Sequence, residues 1–180
     1  DYVMIGAMIV HKQSIDEDII PRCQRLGRTI IGGGPLFTTG SEEYQGIVHT
    51  VCGECEEIID QVVRDMELGE LKPRYESTHG FPDVTKTPVP RWDLINVRQY
   101  GTMPVQFSRG CPFDCEFCDI IITFGRRPRI KTSAQIIAEL EAMRAQKMRI
   151  VFIVDDNLIG NKKAIKEVLR DVIAWQEANG

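Results

Sequence analysis

The sequence predicts an α/β fold built on a parallel sheet, and two observations carry that prediction. Over residues 1–69 the apolar runs and helical spacings succeed one another as strand, helix, strand, strand, helix, with no hairpin turn between strands. After residue 104, two strand-loop-helix units follow in series, the order of a parallel barrel or a doubly wound sheet. In either architecture, ligands gather beyond the carboxyl ends of the strands.

The elements follow in order. Tyr2 to Val10 (YVMIGAMIV) is a continuous apolar run, the pattern of a strand buried on both faces. Helical spacing runs from Ser14 to Leu26, with Asp16, Glu17 and Asp18 in the first turn favouring the positive end of the helix dipole. Gly27 fits the position after that helix. Thr29-Ile30-Ile31 reads as a short strand ending in Gly32-Gly33-Gly34-Pro35, Ile47 to Val51 as a third strand, and Glu54 to Leu68 as a helix ended by Gly69.

Five of the nine prolines lie between Pro73 and Pro104. Each removes a backbone donor and disfavours helix in the residue before it, so the stretch reads as an extended surface linker. Pro104 to Ser108 is then a strand leading into Arg109-Gly110-Cys111. Thr132 to Gln135 fits a capping box. The helix behind it carries Ile136, Ile137, Leu140 and Met143 on one face and runs to about Gln146. Arg149 to Val154 is a second buried strand ending in Asp155-Asp156-Asn157. A final helix from about Lys162 to Glu177 gathers Ile165, Val168, Leu169, Val172 and Ile173.

Composition sets the outer limits. With 43% hydrophobic and 27% charged residues, the 180-residue chain is globular, of a length for one domain or two. No apolar run approaches the roughly 20 residues of a membrane-spanning helix, and the opening residues lack the basic flank and small-residue cleavage site of a signal peptide. The first residue is Asp1, so the chain reads as a fragment lacking its N-terminal portion. Net charge is −4, split as −7 over residues 1–72 and +3 over residues 73–180. The two parts differ in character, and neither is basic enough for general nucleic-acid binding. The six cysteines are Cys23, Cys52, Cys55, Cys111, Cys115 and Cys118. Close cysteine spacing without an export signal points to metal or redox chemistry, and to a cytoplasmic protein, rather than to disulfides.

The chemistry concentrates in Cys111-Pro-Phe-Asp-Cys115-Glu-Phe-Cys118. Three thiolates in one loop beyond a strand end can wrap one metal centre. A structural zinc normally takes four protein ligands; a cubane [4Fe–4S] cluster bound by three cysteines keeps one iron open. A zinc knuckle and plain buried thiols are the competing readings. Cys52 and Cys55 form a C-x-x-C pair, read as chance reduced thiols over a dithiol or a further cluster. His11, His49 and His79 are scattered, with no ligand spacing. Arg126, Arg127, Arg129 and Lys131 read as a solvated basic loop, with anion contact the lesser reading. Arg109 could pair with the anionic cluster loop.

The triplet, with Phe117 before its last cysteine, resembles the signature of the radical S-adenosylmethionine superfamily. Residues 106–121 (QFSRGCPFDCEFCDII), 124–132 (FGRRPRIKT) and 154–163 (VDDNLIGNKK) resemble its cobalamin-binding branch, particularly hopanoid C-2 methylase-like members. Residues 1–69, with the Gly33-Gly34 turn and Gly53-Glu54-Cys55-Glu56-Glu57, resemble the later part of that branch's cobalamin domain. Two departures stand out: Gly6 replaces a common serine, and Asp155-Asp156-Asn157 stands where many members carry Gly-Gly-Glu.

The resemblance implies residues 1–70 as the C-terminal part of a Rossmann-like cobalamin-binding domain. It makes 71–104 a proline-rich linker and 105–180 the first two β/α units of a radical S-adenosylmethionine barrel. It implies a [4Fe–4S] cluster on Cys111, Cys115 and Cys118. S-adenosylmethionine would lie against Phe117, Asp155, Asp156 and Asn157, and cobalamin against Gly6, Ala7, Met8, Gly33, Gly34 and Thr38. The implied activity is generation of a 5′-deoxyadenosyl radical, with cobalamin-dependent methylation of an unactivated carbon. The implied partners are a small-molecule substrate, lipids included, and an electron donor such as flavodoxin or ferredoxin, with no nucleic acid. A radical methylthiotransferase using Cys23, Cys52 and Cys55 for a further cluster, a cobalamin-assisted radical cyclase, and a non-enzymatic electron carrier or zinc module are the alternatives.

Overall fold

Two units, Asp1–Pro82 and Asp83 onward, make up the computed structural model, which describes residues 1–179. The sheet of the first unit is fully parallel, in the order β1-β2-β3-β4. Strand β1 (Tyr2–Gly6) is shorter than the apolar run containing it, and its residues alternate between exposed and half-buried. The difference has a physical reason. β1 is an edge strand here, paired on one side only with β2 (Thr29–Gly33), and residues 9–11 already turn helical. Helical backbone continues through α1 (Lys12–Ser14), a π-helical segment (Ile15–Ile19) and α2 (Ile20–Arg25). Pro21 sits inside this run, and the wider π turn before it relieves the clash that a proline ring makes with the preceding turn.

α3 (Pro35–Thr39), missing from the sequence expectation, follows β2 directly. It drives Phe37 into complete burial beside Tyr44, with ring centroids 4.8 Å apart. β3 (His49–Cys52) is followed by a turn and then α4 (Ile59–Leu68), which ends on Gly69 at φ 72°. That is the left-handed cap the sequence indicated. α4 begins five residues later than its spacing suggested, because 55–58 are spent in a turn where Ile58 and Ile59 both donate to the Cys55 carbonyl. β4 (Arg74–Glu76) completes the sheet from inside the proline-rich stretch. One face of the sheet packs on Ile15, Ile20, Cys23, Leu36 and Phe37; another cluster gathers Ile31, Val51, Ile58, Val62 and Tyr75. Each such large side chain contributes about 1.5–3 kcal/mol by leaving water.

In the second unit, β5 (Met103–Val105) pairs in parallel with β8, described below, and β6 (Ser108–Arg109) pairs antiparallel with β7 (Arg129–Ile130). α5 (Ile120–Thr123) lies inside the excursion between β6 and β7. Thr132 then caps α6 (Ser133–Ala145) through the reciprocal box with Gln135 expected from the sequence. β8 (Val151–Ile153) and α7 (Lys162–Asn179) complete the unit. Ile136 and Met143 of α6 and Ile165 and Val168 of α7 are buried with Met103, Val105 and Phe107. Leu169 and Ile173 stay exposed, since a two-stranded sheet is too narrow to cover the whole apolar stripe of α7. Of the linker, residues 84–87 are bound into this unit: the Gln135 side-chain amide donates to the carbonyls of Val84 and Thr87. Among the described residues, no helix is long and apolar enough to cross a membrane.

Candidate functional site

The cysteine loop is an excursion from a closed base. Strands β6 and β7 register Ser108 with Ile130 and Arg109 with Arg129, so residues 110–128 leave and return at one point. Gly110 makes that base tight. Its φ is 93°, and a Cβ there would lie 2.9 Å from the carbonyl oxygens of Phe124 and Gly125 and 3.0 Å from that of Arg127, closer than real Cβ atoms come. The Cys111 N–H donates to Gly125 O at 3.1 Å, and the Arg129 guanidinium to Phe124 O at 3.1 Å. Arg126 pairs with Asp114 at 2.9 Å across the loop.

Within this frame the Cys118 N–H donates to the Cys115 carbonyl at 3.0 Å, placing the last two cysteines on one turn. Cys115 is exposed, Cys111 and Cys118 half-exposed, and none is in a disulfide. Phe117 is 93% exposed, its ring presented to solvent beside them. Among the described residues no three His, Cys, Asp or Glu side chains converge tightly enough for one metal ion. A single zinc requires such convergence. A cubane does not, because each thiolate binds its own iron. The donor set, three reduced thiols on a closed loop, therefore fits a cluster with one open iron.

The tip after β8 organises this loop. Both Asp155 carboxylate oxygens are engaged: the Phe107 N–H donates at 2.7 Å, the Ser108 N–H at 2.9 Å and the Ser108 hydroxyl at 2.6 Å. Asp155 thus clamps the strand feeding the cysteine loop. Asp156 accepts from the Gly110 N–H. Although its outer side is exposed, partial desolvation of the carboxyl, foremost, and the nearby Asp155 hold its pKa above the ordinary aspartate value. The Asn157 amide donates to Cys111 Sγ at 3.4 Å. The basic run is less solvated than its composition suggested. Lys131 is buried, its ammonium paired with the equally buried Glu139. Gly110 and the Asp155 clamp escaped sequence reasoning, although a glycine directly before the first cysteine was a visible signal for the former.

In the first unit the parallel strands bring Gly6, Gly33 and Cys52 to one end of the sheet, with Gly6 in register with Gly33. The Ala7 N–H donates to Gly33 O at 3.0 Å, and Leu36 N–H to Ala7 O at 3.0 Å. Gly34, at φ 86°, admits this approach: a Cβ there would stand 2.9 Å from Ala7 O. Gly6, Ala7, Gly33 and Gly34 are therefore brought together, and the missing Gly6 Cβ faces open space. Met8 is exposed beside them. The Thr38 hydroxyl is occupied, accepting from the Gly53 N–H at 3.0 Å. Glycines at the ends of two adjacent strands fit the close approach of a flat, bulky cofactor. Cys23 and Cys52 are buried, with Cys52 Sγ directed at Phe37 O. His11 accepts from the Met8 N–H three residues before it, and His49 bonds the Lys72 carbonyl. A cavity of about 640 Å³ between α6, α7 and the β5–β8 sheet has none of the cysteines in its lining.

No protein-family model matches the chain. A protein named as an uncharacterized methyltransferase from Synechocystis is 41% identical over 180 residues, 98% of this chain and 33% of that protein. Hopanoid C-2 methylase of Rhodopseudomonas palustris is 33% identical over 184 residues, covering 100% of this chain and 35% of the methylase. These relatives support the family that the sequence resembles, the cobalamin-binding radical S-adenosylmethionine enzymes. The solved structures agree in fold. The radical S-adenosylmethionine methyltransferase TsrM of Kitasatospora setae, with cobalamin and a [4Fe–4S] cluster bound, superposes with a TM-score of 0.72 at 20% identity. The match covers 92% of this chain and 38% of that one. OxsB, a cobalamin-dependent S-adenosylmethionine radical enzyme with aqua-cobalamin and S-adenosylmethionine bound, gives 0.68 at 17% identity, over 96% and 28%. The chain spans about a third of the length of the curated family members it matches. The α/β architecture expected for the family's two domains is the one observed.

Proposed function

We propose that the protein is a cobalamin-dependent radical S-adenosylmethionine methyltransferase acting on an unactivated carbon of a small molecule, lipids included. The observation carrying this reading is the loop closed at its base by the antiparallel β6–β7 pair, which holds the free thiols of Cys111, Cys115 and Cys118 within eight residues. When bound, the cluster supplies one electron for cleavage of S-adenosylmethionine, and cobalamin supplies the methyl group. The chain's own residues position and shield. The three thiolates anchor three irons, and Phe117 offers an exposed ring for stacking on the adenine. Asp156 holds the Gly110 N–H, and Asp155 keeps the strand beneath the loop in place. Gly6, Ala7, Met8, Gly33, Gly34 and the neighbouring Thr38 form the strand end against which cobalamin would lie. The electron comes from a small carrier of the flavodoxin or ferredoxin class, and the protein acts in the cytoplasm.

Anaerobic reconstitution of the full-length protein tests this reading. Iron and sulfide in equal amounts, a reduced-cluster EPR signal perturbed by S-adenosylmethionine, and retention of cobalamin absorption are the expected results. Zinc without sulfide, or an EPR signal indifferent to S-adenosylmethionine, refutes it. For the methylthiotransferase reading, Cys23 and Cys52 are buried in the first unit while Cys55 is exposed, so the three are not presented together on one accessible loop.

A further inference from the structure

We propose that Asn157 is a positioning residue that tunes the reduction potential of the centre bound by Cys111. This rests on the three-cysteine cluster reading above and extends it. Three consecutive residues after β8 meet the chain leading into the cysteine loop in order. Asp155 holds Phe107 and Ser108, Asp156 holds the Gly110 N–H, and Asn157 reaches Cys111. The sequence expectation placed all three against S-adenosylmethionine; each also has a partner in the chain leading into the loop.

The Asn157 contact differs in kind from the other two. Its partner is the ligand sulfur itself, 3.4 Å from the amide nitrogen. A thiolate bound to iron can only accept a hydrogen bond, so the amide presents its N–H. Asn157 is held there by its backbone as well, its carbonyl accepting from the Gly160 N–H at 3.0 Å in the following turn. Reduction adds negative charge that spreads onto the sulfurs. A fixed donor on one sulfur therefore favours the reduced form and raises the potential. Asn157 is neutral throughout, so the effect is independent of pH.

The test compares the reconstituted full-length protein with its Asn157→Leu and Asn157→Asp variants. Leucine keeps the branching and heavy-atom count and removes the donor without adding charge; aspartate preserves shape and cannot donate when ionised. Redox titration followed by EPR is the readout, together with pulsed EPR in D₂O for an exchangeable deuteron coupled to the cluster. The expected result is a fall of roughly tenfold in the reduced-to-oxidised ratio at a fixed applied potential for Asn157→Leu, equal to 59 mV for a one-electron couple. Asn157→Asp falls at least as far, and both variants lose one deuteron coupling. Variant potentials within about twofold of wild type, roughly 18 mV, overturn the proposal while leaving the cluster reading intact. Loss of the cluster from both variants also overturns it, since Asn157 is then a residue of loop assembly. A wild-type protein that takes up no cluster fails earlier, and refutes the functional reading together with this one.

Discussion

Asp155 separates two roles that a carboxylate at a strand end can play, and its removal tells them apart. If it clamps the loop, Asp155→Ala strands two backbone donors, those of the buried residues Phe107 and Ser108, together with the Ser108 hydroxyl. A hydrogen bond to a charged group contributes about 1.5–3 kcal/mol, which is roughly a tenfold to 150-fold change in an opening equilibrium for each amide. Hydrogen exchange of the peptide spanning 105–110 should therefore quicken by that factor. Asp155→Asn keeps one acceptor oxygen, turns an NH₂ toward a remaining donor, and should release one of the two amides. Affinity for S-adenosylmethionine should fall only in step with cluster content. Unchanged exchange at Phe107 and Ser108, or affinity lost while exchange and cluster content stay constant, would refute the clamp and return Asp155 to the cofactor.

Three further outcomes follow from geometry. Gly110→Ala forces a Cβ against three carbonyl oxygens at a φ of 93°; it should lower cluster content on reconstitution severalfold, measured as iron per chain, whereas Gly101→Ala, with open space around its Cβ and no left-handed backbone, should leave that content unchanged. Breaking the buried Lys131–Glu139 pair with Lys131→Met alone should destabilise the second unit by about 3–5 kcal/mol in denaturant titration, while Lys131→Met with Glu139→Leu should recover most of that loss. In the first unit, the hydrogen bond from Lys12 holds the Asp16 carboxyl below the usual aspartate range. Its stabilising contribution is thus present above an unfolded value near 3.8 and lost as pH falls through the depressed one. Because the pair is partly solvated, Asp16→Asn should cost under about 1 kcal/mol at neutral pH, and the difference from wild type should vanish in strong acid when unfolding is followed by circular dichroism.

Much of the frame was legible because it depends on local chemistry. Gly69 ends α4 and Thr132 caps α6 as their residue types dictate, and the cysteine loop sits beyond a strand end as the order of elements implied. The missed features depend on partners distant in sequence. β4, β6 and β7 are two or three residues long, too short for an alternating pattern to show, and they exist through pairing with other strands. Tyr2–Val10 carries no sign that its strand lies at an edge, since an apolar run reads the same in the middle of a sheet. Asp155 announced a polar strand end, but its donors lie 47 and 48 residues earlier in the chain, a separation no periodicity encodes. Lys131 looked solvated beside three arginines because Glu139, its buried partner, is on the next helix.

The two-residue ladder between β6 and β7 has a consequence for assembly. Bringing together the ends of the 19 residues 110–128 carries a loop-closure entropy that grows as (3/2)RT ln n, about 2.6 kcal/mol beyond a constant for a segment of that length. The ladder and the Gly110 packing at its base meet that entropy in the metal-free chain. Incoming iron and sulfide then have only short inner segments left to order. A cluster held by Cys111, Cys115 and Cys118 would then be built, or rebuilt after oxidative loss, on a loop already closed, without refolding the unit around it.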